Sequence, residues 1–469
     1  MHRLAVLLAV VFCARGPEAA FAGEVDKPLA VKSNAMKEIQ VTDRPGGHIL
    51  TNVNVWSPDG QWIVYDTRSD PAGEQFDGNT IEIVNVETGE VREVYRSHHG
   101  AHCGVATYSP AENKVVFILG PENPTADWQY GMWHRQGVIV DTGQPGKGVR
   151  MDARDITPPF TPGALRGGSH VHVFDSDGKW VSFTYEDHVL AELDAAKKTG
   201  HESNQRNVGI SVPAGAVKVS PDHPRNHDGS MFTVLVTRTV DKPRPGSDEI
   251  SKAFEEAWIG KNGYVRADGT RQRHALAFQG HVVTRDGKTI AEAFVVDIPD
   301  DVTAAGDAPL QGTTTTRPRP PRGTEQRRLT HTADRKYPGI QGPRHWLRSS
   351  ADGSRIALLM RDDAGHVQLW TISPNGGEPE QVTHHPFDIA STFTWSPNGE
   401  LIAYVADNSV FVTNVASGES QRLTKRSDDA HSPRPEACVF SPDGTRIAYV
   451  RPVERDDVTS NQIFVVQPE

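Results

Sequence analysis

Hydrophobic and polar positions alternate along most of the chain in short runs separated by turn residues. The pattern is clearest at Thr392–Val405 (TFTWSPNGELIAYV) and Ala437–Val450 (ACVFSPDGTRIAYV), which begin 45 residues apart. In each copy, one alternating run leads into Ser-Pro-Asn/Asp-Gly and a second run follows, which predicts two antiparallel strands joined by a tight turn. A strand-built repeat of this period is typical of a β-propeller, in which each unit packs against its neighbours.

Hairpins of this kind recur along the whole chain, so we predict an all-β fold with one propeller domain over residues 23–469. The fourth and fifth hairpins are irregular. If they belong to one elaborated blade the ring has seven blades, which we favour; otherwise it has eight. The hairpins are His48–Asp66, His102–Leu119, His170–Glu186, Ala216–Arg238, His274–Ala293, Arg344–Arg361, Asp388–Ala406 and Pro435–Val450.

The chain begins and ends in a way that predicts closure of the ring. Lys37–Thr42 (KEIQVT) resembles three runs that each close a unit as its outermost strand: Glu325–Thr330, Pro379–Thr383 and Ser420–Thr424. The C-terminal run Gln462–Val466 is a third strand with no fourth strand after it. We therefore expect Lys37–Thr42 to supply the missing strand and leave no open sheet edge.

Three insertions interrupt the period. Glu192–Lys198 and Asp248–Ile259 have helical composition, and Thr303–Thr324, which contains TTTTRPRPPRG, predicts a mobile, polar, proline-rich loop.

The N-terminus predicts export. Arg3 precedes the apolar run Leu4–Cys13, and Ala20-Phe21-Ala22 offers small residues for cleavage, so residues 1–22 read as a signal peptide. The residue before Cys13 is Phe12, whereas a lipoprotein signal requires a small residue there, which favours soluble export. We expect a periplasmic or secreted protein, and no later apolar run is long enough to span a membrane.

Charge and cysteine content limit the partners. The formal net charge is −11, which disfavours nucleic acid and anionic membranes. An anionic glycan would need a local positive or metal-bearing site. Cys103 and Cys438, the two cysteines outside the signal peptide, lie far apart in sequence and do not imply a disulfide framework.

Histidine is the most informative residue type, with 20 in the chain. Nine lie just before or at the start of a hairpin's first strand. Because the first strand of a propeller blade is the innermost, we expect these imidazoles to converge on one funnel. They are His48, His102, His170, His172, His281, His345, His384, His385 and His431.

The sharpest cluster is Arg166–His172 (RGGSHVH). Residues i and i+2 of a strand face the same way, so His170 and His172 have the spacing of two metal ligands. The glycines before them allow close backbone approach. A third or fourth ligand must come from another blade, with His102, His134 and His345 as candidates, and the ion would be divalent manganese, calcium or zinc. Two hydrogen-bonded polar residues on a half-buried strand remain the alternative.

A second cluster, Trp128–Arg135 (WQYGMWHR), is rich in aromatic and hydrogen-bonding side chains. Aromatic rings stack on the apolar faces of sugars, so Trp128, Trp133 and Arg135 are candidate sugar-binding residues. Core packing of the two tryptophans is an equal alternative. The chain has no Gly-x-Ser-x-Gly elbow, Walker loop, dinucleotide fingerprint or Cys-x-x-Cys pair, so serine-hydrolase and nucleotide chemistry lack support.

The Ser-Pro-Asp-Gly hairpins resemble those of the periplasmic TolB-like propellers over most of the sequence. His48–Asp66, Gly100–Val105, Gly120–Asp141 and Arg166–Phe183 are similar to a narrower family, the YidR-type bacterial propellers, which carry a Tol biopolymer-transport label by analogy. More distantly, the architecture is similar to oligogalacturonate lyase, whose metal is held by a Gln-x-x-His-x-His arrangement. The resemblance places His170 and His172 on its paired histidines, but Gly167 stands where that family has glutamine.

Two functions follow as hypotheses. In the first, a lyase eliminates across a uronate-containing glycan: a metal at His170 and His172, assisted by Arg166 or Arg344, neutralises the carboxylate, with His102 as base and Tyr130 as acid. In the second, a non-catalytic propeller binds an envelope protein or a glycan, as the TolB-like resemblance implies.

Overall fold

The computed structural model describes residues 36–70 and 73–469, so the predicted signal peptide lies outside the described residues. The described chain forms seven four-stranded antiparallel sheets, which are the blades of a seven-bladed β-propeller. Within blades 1 to 6 the four strands follow chain order from the inside outward. The predicted all-β fold and the favoured blade number are confirmed.

The first four blades carry most of the insertions. Strand β1 (Met36–Gln40) precedes them and belongs to the last blade. Blade 1 consists of β2 (Gly47–Ile49), β3 (Trp62–Arg68), β4 (Thr80–Asn85) and β5 (Val91–Arg96); blade 2 of β6 (Cys103–Tyr108), β7 (Lys114–Leu119), β8 (Gln136–Asp141) and β9 (Val149–Arg150); a small parallel pair, β10 (Ala153–Arg154) and β11 (Ala164–Leu165), follows. Blade 3 consists of β12 (Gly167–Phe174), β13 (Val181–Asp187), β14 (Asn207–Val212) and β15 (Phe232–Leu235), with helix α1 (His188–Ala195) after β13. Blade 4 consists of β16 (Ala253–Trp258), β19 (His274–Val283), β20 (Thr289–Ile298) and β21 (Glu325–Arg328), with the short hairpin β17 (Tyr264–Val265) and β18 (Arg271–Gln272) inserted after β16.

The last three blades are more regular and contain the clearest copies of the repeat. Blade 5 consists of β22 (Arg348–Ser349), β23 (Ile356–Arg361), β24 (Val367–Ile372) and β25 (Glu380–Gln381); blade 6 of β26 (Thr394–Trp395), β27 (Leu401–Ala406), β28 (Ser409–Asn414) and β29 (Ser420–Arg422). A 3-10 turn at Asp429–His431 leads to blade 7, which consists of β30 (Cys438–Phe440), β31 (Ile447–Arg455), β32 (Val458–Pro468) and β1.

Strand β1 closes the ring as predicted. It pairs antiparallel with β32, from Met36 opposite Pro468 to Gln40 opposite Phe464. The side chain of Glu38 then accepts a hydrogen bond from Arg451 at 2.7 Å. The N-terminal strand therefore covers the edge that the C-terminal strand would otherwise expose.

Tryptophans at the ends of inner strands join neighbouring blades. The indole N–H of Trp56 donates to the Val439 carbonyl across the seam between blades 1 and 7 at 3.0 Å. Trp258 makes the same contact with Val173 at 3.0 Å, and Trp395 makes it with Arg348 at 2.8 Å. These bonds satisfy buried indole donors and fix the rotation of one blade against the next.

Two expectations about the irregular middle of the chain were wrong. The fourth hairpin, Ala216–Arg238, supplies the outer strand β15 of blade 3, so it does not share a blade with the fifth hairpin, which lies in blade 4. Asp248–Ile259 contains the inner strand β16, not a helix, because pairing with β19 and burial of Ala253 and Ala257 override its helical composition. The helix expected near Glu192–Lys198 does form, as α1.

The proline-rich loop Thr303–Thr324 has no helix or named strand, as expected, but it is not a free excursion. Arg317 is 3% exposed and donates to Asp241 at 2.6 Å and to the Ser203 carbonyl at 2.7 Å. The buried guanidinium clamps the loop against blade 3, so the prediction of a mobile loop is corrected.

Candidate functional site

The start of three inner strands carries the same β-bulge. Val105, Val171 and Glu255 have φ of 57°, 57° and 56°, and the strand register shifts at each. A left-handed conformation is strained for any residue with a Cβ and most of all for the β-branched Val105 and Val171, so neighbouring contacts must hold it in place. The bulges redirect the side chains that follow, at the point where the channel opens.

The bulge at Val171 separates the two histidines that the sequence placed on one face. His172 Nε2 lies 2.9 Å from Ser169 Oγ, which in turn bonds Asp152 at 3.1 Å inside the seam between blades 2 and 3. His170 instead lies within electrostatic range of Arg135, Arg206 and Arg344. The prediction of a shared metal-ligand orientation is therefore wrong, because i and i+2 alternation fails where a strand contains an extra residue.

The two glycines before these histidines do permit close backbone approach, as predicted. A Cβ on Gly167 would lie 2.0 Å from the Glu186 carbonyl oxygen, and one on Gly168 would lie 2.4 Å from the Met132 carbonyl oxygen. The loop of blade 2 that carries Tyr130 and Arg135 thus packs directly on β12.

A stack of aromatic and cationic side chains forms one wall of the opening. Phe76 and Tyr130 stack with ring centroids 4.5 Å apart and 9° between planes. The Arg68 guanidinium lies 4.8 Å from the Phe76 centroid, and that of Arg135 lies 4.9 Å from the Tyr130 centroid. Cation–π contacts on both outer faces hold the two rings rigid.

We call the group Tyr130, Arg135, His170, Arg206, Glu255 and Arg344 the channel mouth. Arg206 pairs with Glu186 at 2.9 Å, and Arg344, whose side chain is 58% exposed, pairs with Glu255 at 2.8 Å. No carboxylate of the described chain lies within ion-pairing distance of Arg135, and its Nε is buried without a hydrogen-bond partner. Burial lowers the pKa of Arg135, which nevertheless remains a cation. The mouth therefore offers an uncompensated positive charge.

His170 lies among these arginines as a neutral imidazole. It is 3% exposed, and burial, together with the nearby guanidinium groups, lowers its pKa well below the ordinary value. Its Nδ1 has no hydrogen-bond partner, and neither does Glu255 Oε2 nor the indole nitrogen of Trp346. Unpaired buried polar atoms are costly, and their concentration where the inner strands begin indicates a place built for water or a polar ligand.

Arg348 closes the floor of the mouth. From blade 5 it reaches across the channel to the Asn52 side chain of blade 1, to which it donates a hydrogen bond. Burial lowers its pKa to about 9, and burial raises the pKa of Glu256 in blade 4 to about 8. At neutral pH Arg348 is charged and Glu256 is largely protonated.

The four residues predicted to hold a metal do not come together. His134 Nε2 lies 3.2 Å from His188 Nδ1, while His345 Nε2 accepts from the Leu359 amide at 3.2 Å and its Nδ1 lies 2.8 Å from the Pro343 carbonyl oxygen. In residues 36–70 and 73–469, no three His, Cys, Asp or Glu side chains are arranged to hold a metal ion. The donor set His170, His172, His134 and His345 does not fit a divalent metal.

The wider prediction that nine imidazoles converge on one funnel is also wrong. Most of them serve local packing: His48 Nδ1 lies 3.1 Å from the Asn461 carbonyl oxygen of blade 7, His385 Nε2 lies 2.6 Å from the Tyr404 hydroxyl, and His431 Nδ1 lies 2.7 Å from Asp428. Inner-strand positions alternate between the channel and the blade interfaces, and bulges shift that alternation.

Two other predicted site residues have structural roles. Arg166 is fully buried, pairs with Asp187 and donates to the carbonyls of Thr313 and Thr316, so it cannot reach a substrate. Trp128 is 5% exposed and stacks on His134 with ring centroids 3.7 Å apart, so it acts in packing rather than sugar binding.

The remaining predicted residues stay candidates. Tyr130, Arg135 and Arg344 lie at the mouth, Trp133 is half-buried beside it, and His102 immediately precedes β6 with its Nδ1 unpaired. Sequence reasoning missed Arg206, Glu255 and Arg348. The signal that could have indicated Arg348 is its position in the repeat, because it stands where Val173 and Val439 stand in other blades.

Comparison with known proteins assigns the chain to a family. It is 50% identical over 427 residues to the "Uncharacterized protein YidR" of Escherichia coli (strain K12), covering 90% of this chain and 96% of that protein. The chain belongs to the YidR family. Within it, residues 102–227 match the model of the family "Protein of unknown function (DUF3748)", and residues 364–463 match that of the dipeptidyl peptidase IV N-terminal region.

Solved structures support the fold of this YidR-family protein. An oligogalacturonate lyase in complex with manganese is 12% identical, has a TM-score of 0.54, and the match covers 94% of this chain and 96% of that one. The oligogalacturonate lyase of Vibrio parahaemolyticus is 11% identical, has a TM-score of 0.50, and the match covers 93% of this chain and 97% of that one. At these identities the likeness shows a shared fold alone. No helix in the described chain is long and apolar enough to cross a membrane.

Proposed function

We propose that this protein binds a uronate-containing oligosaccharide at the channel mouth and cleaves it by β-elimination. The observation that carries the proposal is Arg135, a half-buried guanidinium with no carboxylate partner in the described chain, fixed on Tyr130 at the opening of the channel. A carboxylate is the natural ligand for such a group. The fold shared with two oligogalacturonate lyases supports the same substrate class.

In the proposed reaction, Arg135 and Arg344 bind the carboxylate and withdraw charge from the neighbouring carbon. This acidifies its C–H bond, from which His102 takes the proton. The carbon–oxygen bond of the leaving sugar breaks with its electron pair on oxygen, and a carbon–carbon double bond forms. Tyr130 gives its proton to that oxygen; burial raises its pKa, so the phenol is protonated at neutral pH. No step of this scheme uses the histidine donor set that failed to converge.

The test is incubation of the mature protein with a panel of uronate oligomers, with ultraviolet absorbance reporting the unsaturated product. We expect Arg135→Gln to lower kcat/KM by about 10- to 100-fold, because it loses a charge-assisted hydrogen bond worth about 1.5–3 kcal/mol. Arg92→Gln, on the outer strand β5, is the matched control and should retain the wild-type rate.

No absorbance rise across the panel would overturn catalysis. Oligomer binding that persists in calorimetry without turnover would instead support a non-catalytic glycan-binding propeller. Since residues 1–22 predict export, we propose the periplasm as the place where the protein meets its substrate.

A further inference from the structure

A cavity, which we call the lower cavity, lies at the end of the channel opposite the mouth, below Arg348. Its volume is about 430 Å³, and it is bounded by the ends of the inner strands and by the prolines of the Ser-Pro turns. Volumes of this size are typical of small-molecule sites. Five aromatic side chains from five blades line it: Trp56, Phe174, Trp258, Trp395 and Phe440.

The tryptophans offer ring faces rather than hydrogen bonds to this cavity. Each indole N–H already donates to a main-chain carbonyl of the neighbouring blade, at 2.8–3.0 Å. With their donors occupied, Trp56, Trp258 and Trp395 can contact a ligand only through ring surface. Such surface suits a flat or cyclic body with apolar faces.

Arg348 gives the cavity a charge. It lines the cavity, is 7% exposed, and its Nε has no hydrogen-bond partner. Across residues 36–70 and 73–469, no carboxylate lies within ion-pairing distance of it. Glu256 and Glu255 act on Arg348 only from beyond ion-pairing distance, and burial outweighs them, so an anionic ligand in the cavity would relieve the remaining cost of the buried cation.

Lys261 lies on the same cavity, whose remaining polar lining comes from hydroxyls such as those of Ser349 and Ser350. A cationic ligand is disfavoured here, because the guanidinium would repel it. A neutral sugar would bring no counter-charge to the guanidinium, whose one side-chain hydrogen bond goes to the Asn52 amide oxygen. The lining therefore favours a ring that carries one carboxylate.

We propose that the lower cavity is a second binding site, for a cyclic monocarboxylate of hexuronate size, with its carboxylate on Arg348 and its ring against Trp258 and Trp395. This site is independent of the channel mouth, from which Arg348 separates it, and it does not rest on the proposed elimination.

The test uses the full mature chain labelled with 5-fluorotryptophan and read by fluorine NMR. Resonances are assigned with Trp56→Phe, Trp258→Phe and Trp395→Phe. D-galacturonate is the ligand and D-galactose the uncharged match. We expect galacturonate to shift the Trp258 and Trp395 resonances saturably, and galactose to leave them unmoved at the same concentrations.

Arg348→Gln should raise the galacturonate concentration at half-saturation at least tenfold, and Arg348→Lys should restore part of it. Thermal melting of both variants reports whether the ring remains folded; if Arg348→Gln is unfolded, Trp395→Leu serves as the second variant, with the same loss expected at Trp258. Unmoved resonances in the wild-type protein, or equal shifts with galactose, would overturn the proposal. Because Arg135→Gln affects only the mouth, its titration separates failure at this cavity from failure of the elimination hypothesis.

Discussion

Several histidines buried in the blades share one property: burial keeps their imidazoles neutral. Burial lowers the pKa of His134 and His345 to about 4 and that of His172 and His188 to about 3. These side chains work as hydrogen-bonding or packing groups in their uncharged form. The protein therefore uses histidine mainly as an aromatic polar residue.

This chemistry predicts a loss of stability in acid. Between about pH 6.5 and 4 the unfolded chain binds protons at these four histidines and the folded chain does not, so the free energy of unfolding falls as pH falls, by up to about 1.4 kcal/mol per pH unit for each group. Glu256 acts oppositely, because its folded pKa of about 8 gives stability that is lost as pH rises from about 4.5 to 8. Burial also lowers the pKa of six further histidines and raises the pKa of four further carboxyl groups in the described chain, so ten imidazoles stand against five carboxyls: His48, His170, His227, His274, His281 and His385, and Asp66, Asp152, Asp175 and Asp297. The imidazoles outweigh the carboxyls, so the urea midpoint should be lower at pH 5 than at pH 7.

The control is His98→Gln, an exposed histidine whose removal should leave the difference between the two pH values unchanged. An equal or higher midpoint at pH 5 in the wild-type protein would contradict the prediction.

At the residue scale the structure brings some of the predicted site residues together and separates others, and their roles stay predictions. Tyr130, Arg135 and Arg344 were predicted site residues and do lie at the mouth, since local composition and position in the repeat placed them there. The direction of His172 could not be predicted, because one residue in a left-handed conformation reverses the alternation on which the prediction depended. Nothing in the local pattern marks Val171 as that residue.

At the scale of single strands, the bulges are the feature with the greatest effect on the site. The amide of Val105 donates to the buried carboxylate of Asp66 at 2.9 Å, which fixes its strained backbone. Alternation of hydrophobic and polar residues predicted most strands. It failed at Asp248–Ile259, because Glu255 and Glu256 suit a helix and only pairing with β19 makes this segment a strand.

The strain at Val105 can be measured by comparing two substitutions. A left-handed conformation costs a residue with a Cβ about 1–2 kcal/mol, while glycine loses about 0.5–1 kcal/mol of backbone entropy relative to alanine. We therefore expect Val105→Gly to be more stable than Val105→Ala by roughly 0.5–1 kcal/mol in urea unfolding. At Ile139, an ordinary position of β8, the order should be reversed; the same order at both positions would show that the bulge is unstrained.

At the scale of the whole molecule, closure of the ring was predictable because four similar outer-strand sequences occur and one stands at the wrong end of the chain. Blade number was harder, since the long loop of blade 3 between β14 and β15 has its own short bridges and resembles a hairpin.

Removing β1 should open the ring. A mature chain that begins at Asp43 lacks β1 and the Thr42 hydrogen bond to Gln462, which measures 2.8 Å. We expect a lower melting temperature and concentration-dependent association, because β32 becomes an unpaired edge. The matched control begins at Met36 and keeps β1; a truncated chain that remained monomeric and equally stable would show that closure does not depend on this strand.

The Arg348 side chain lies across the axis of the ring and blocks the channel below the mouth. A glycan that entered the channel from this end would meet the Arg348 side chain, so we expect a chain terminus, not an internal stretch, to occupy the channel. If the proposed elimination takes place inside the channel, it would trim units from chain ends, and its products would be short from the first turnover.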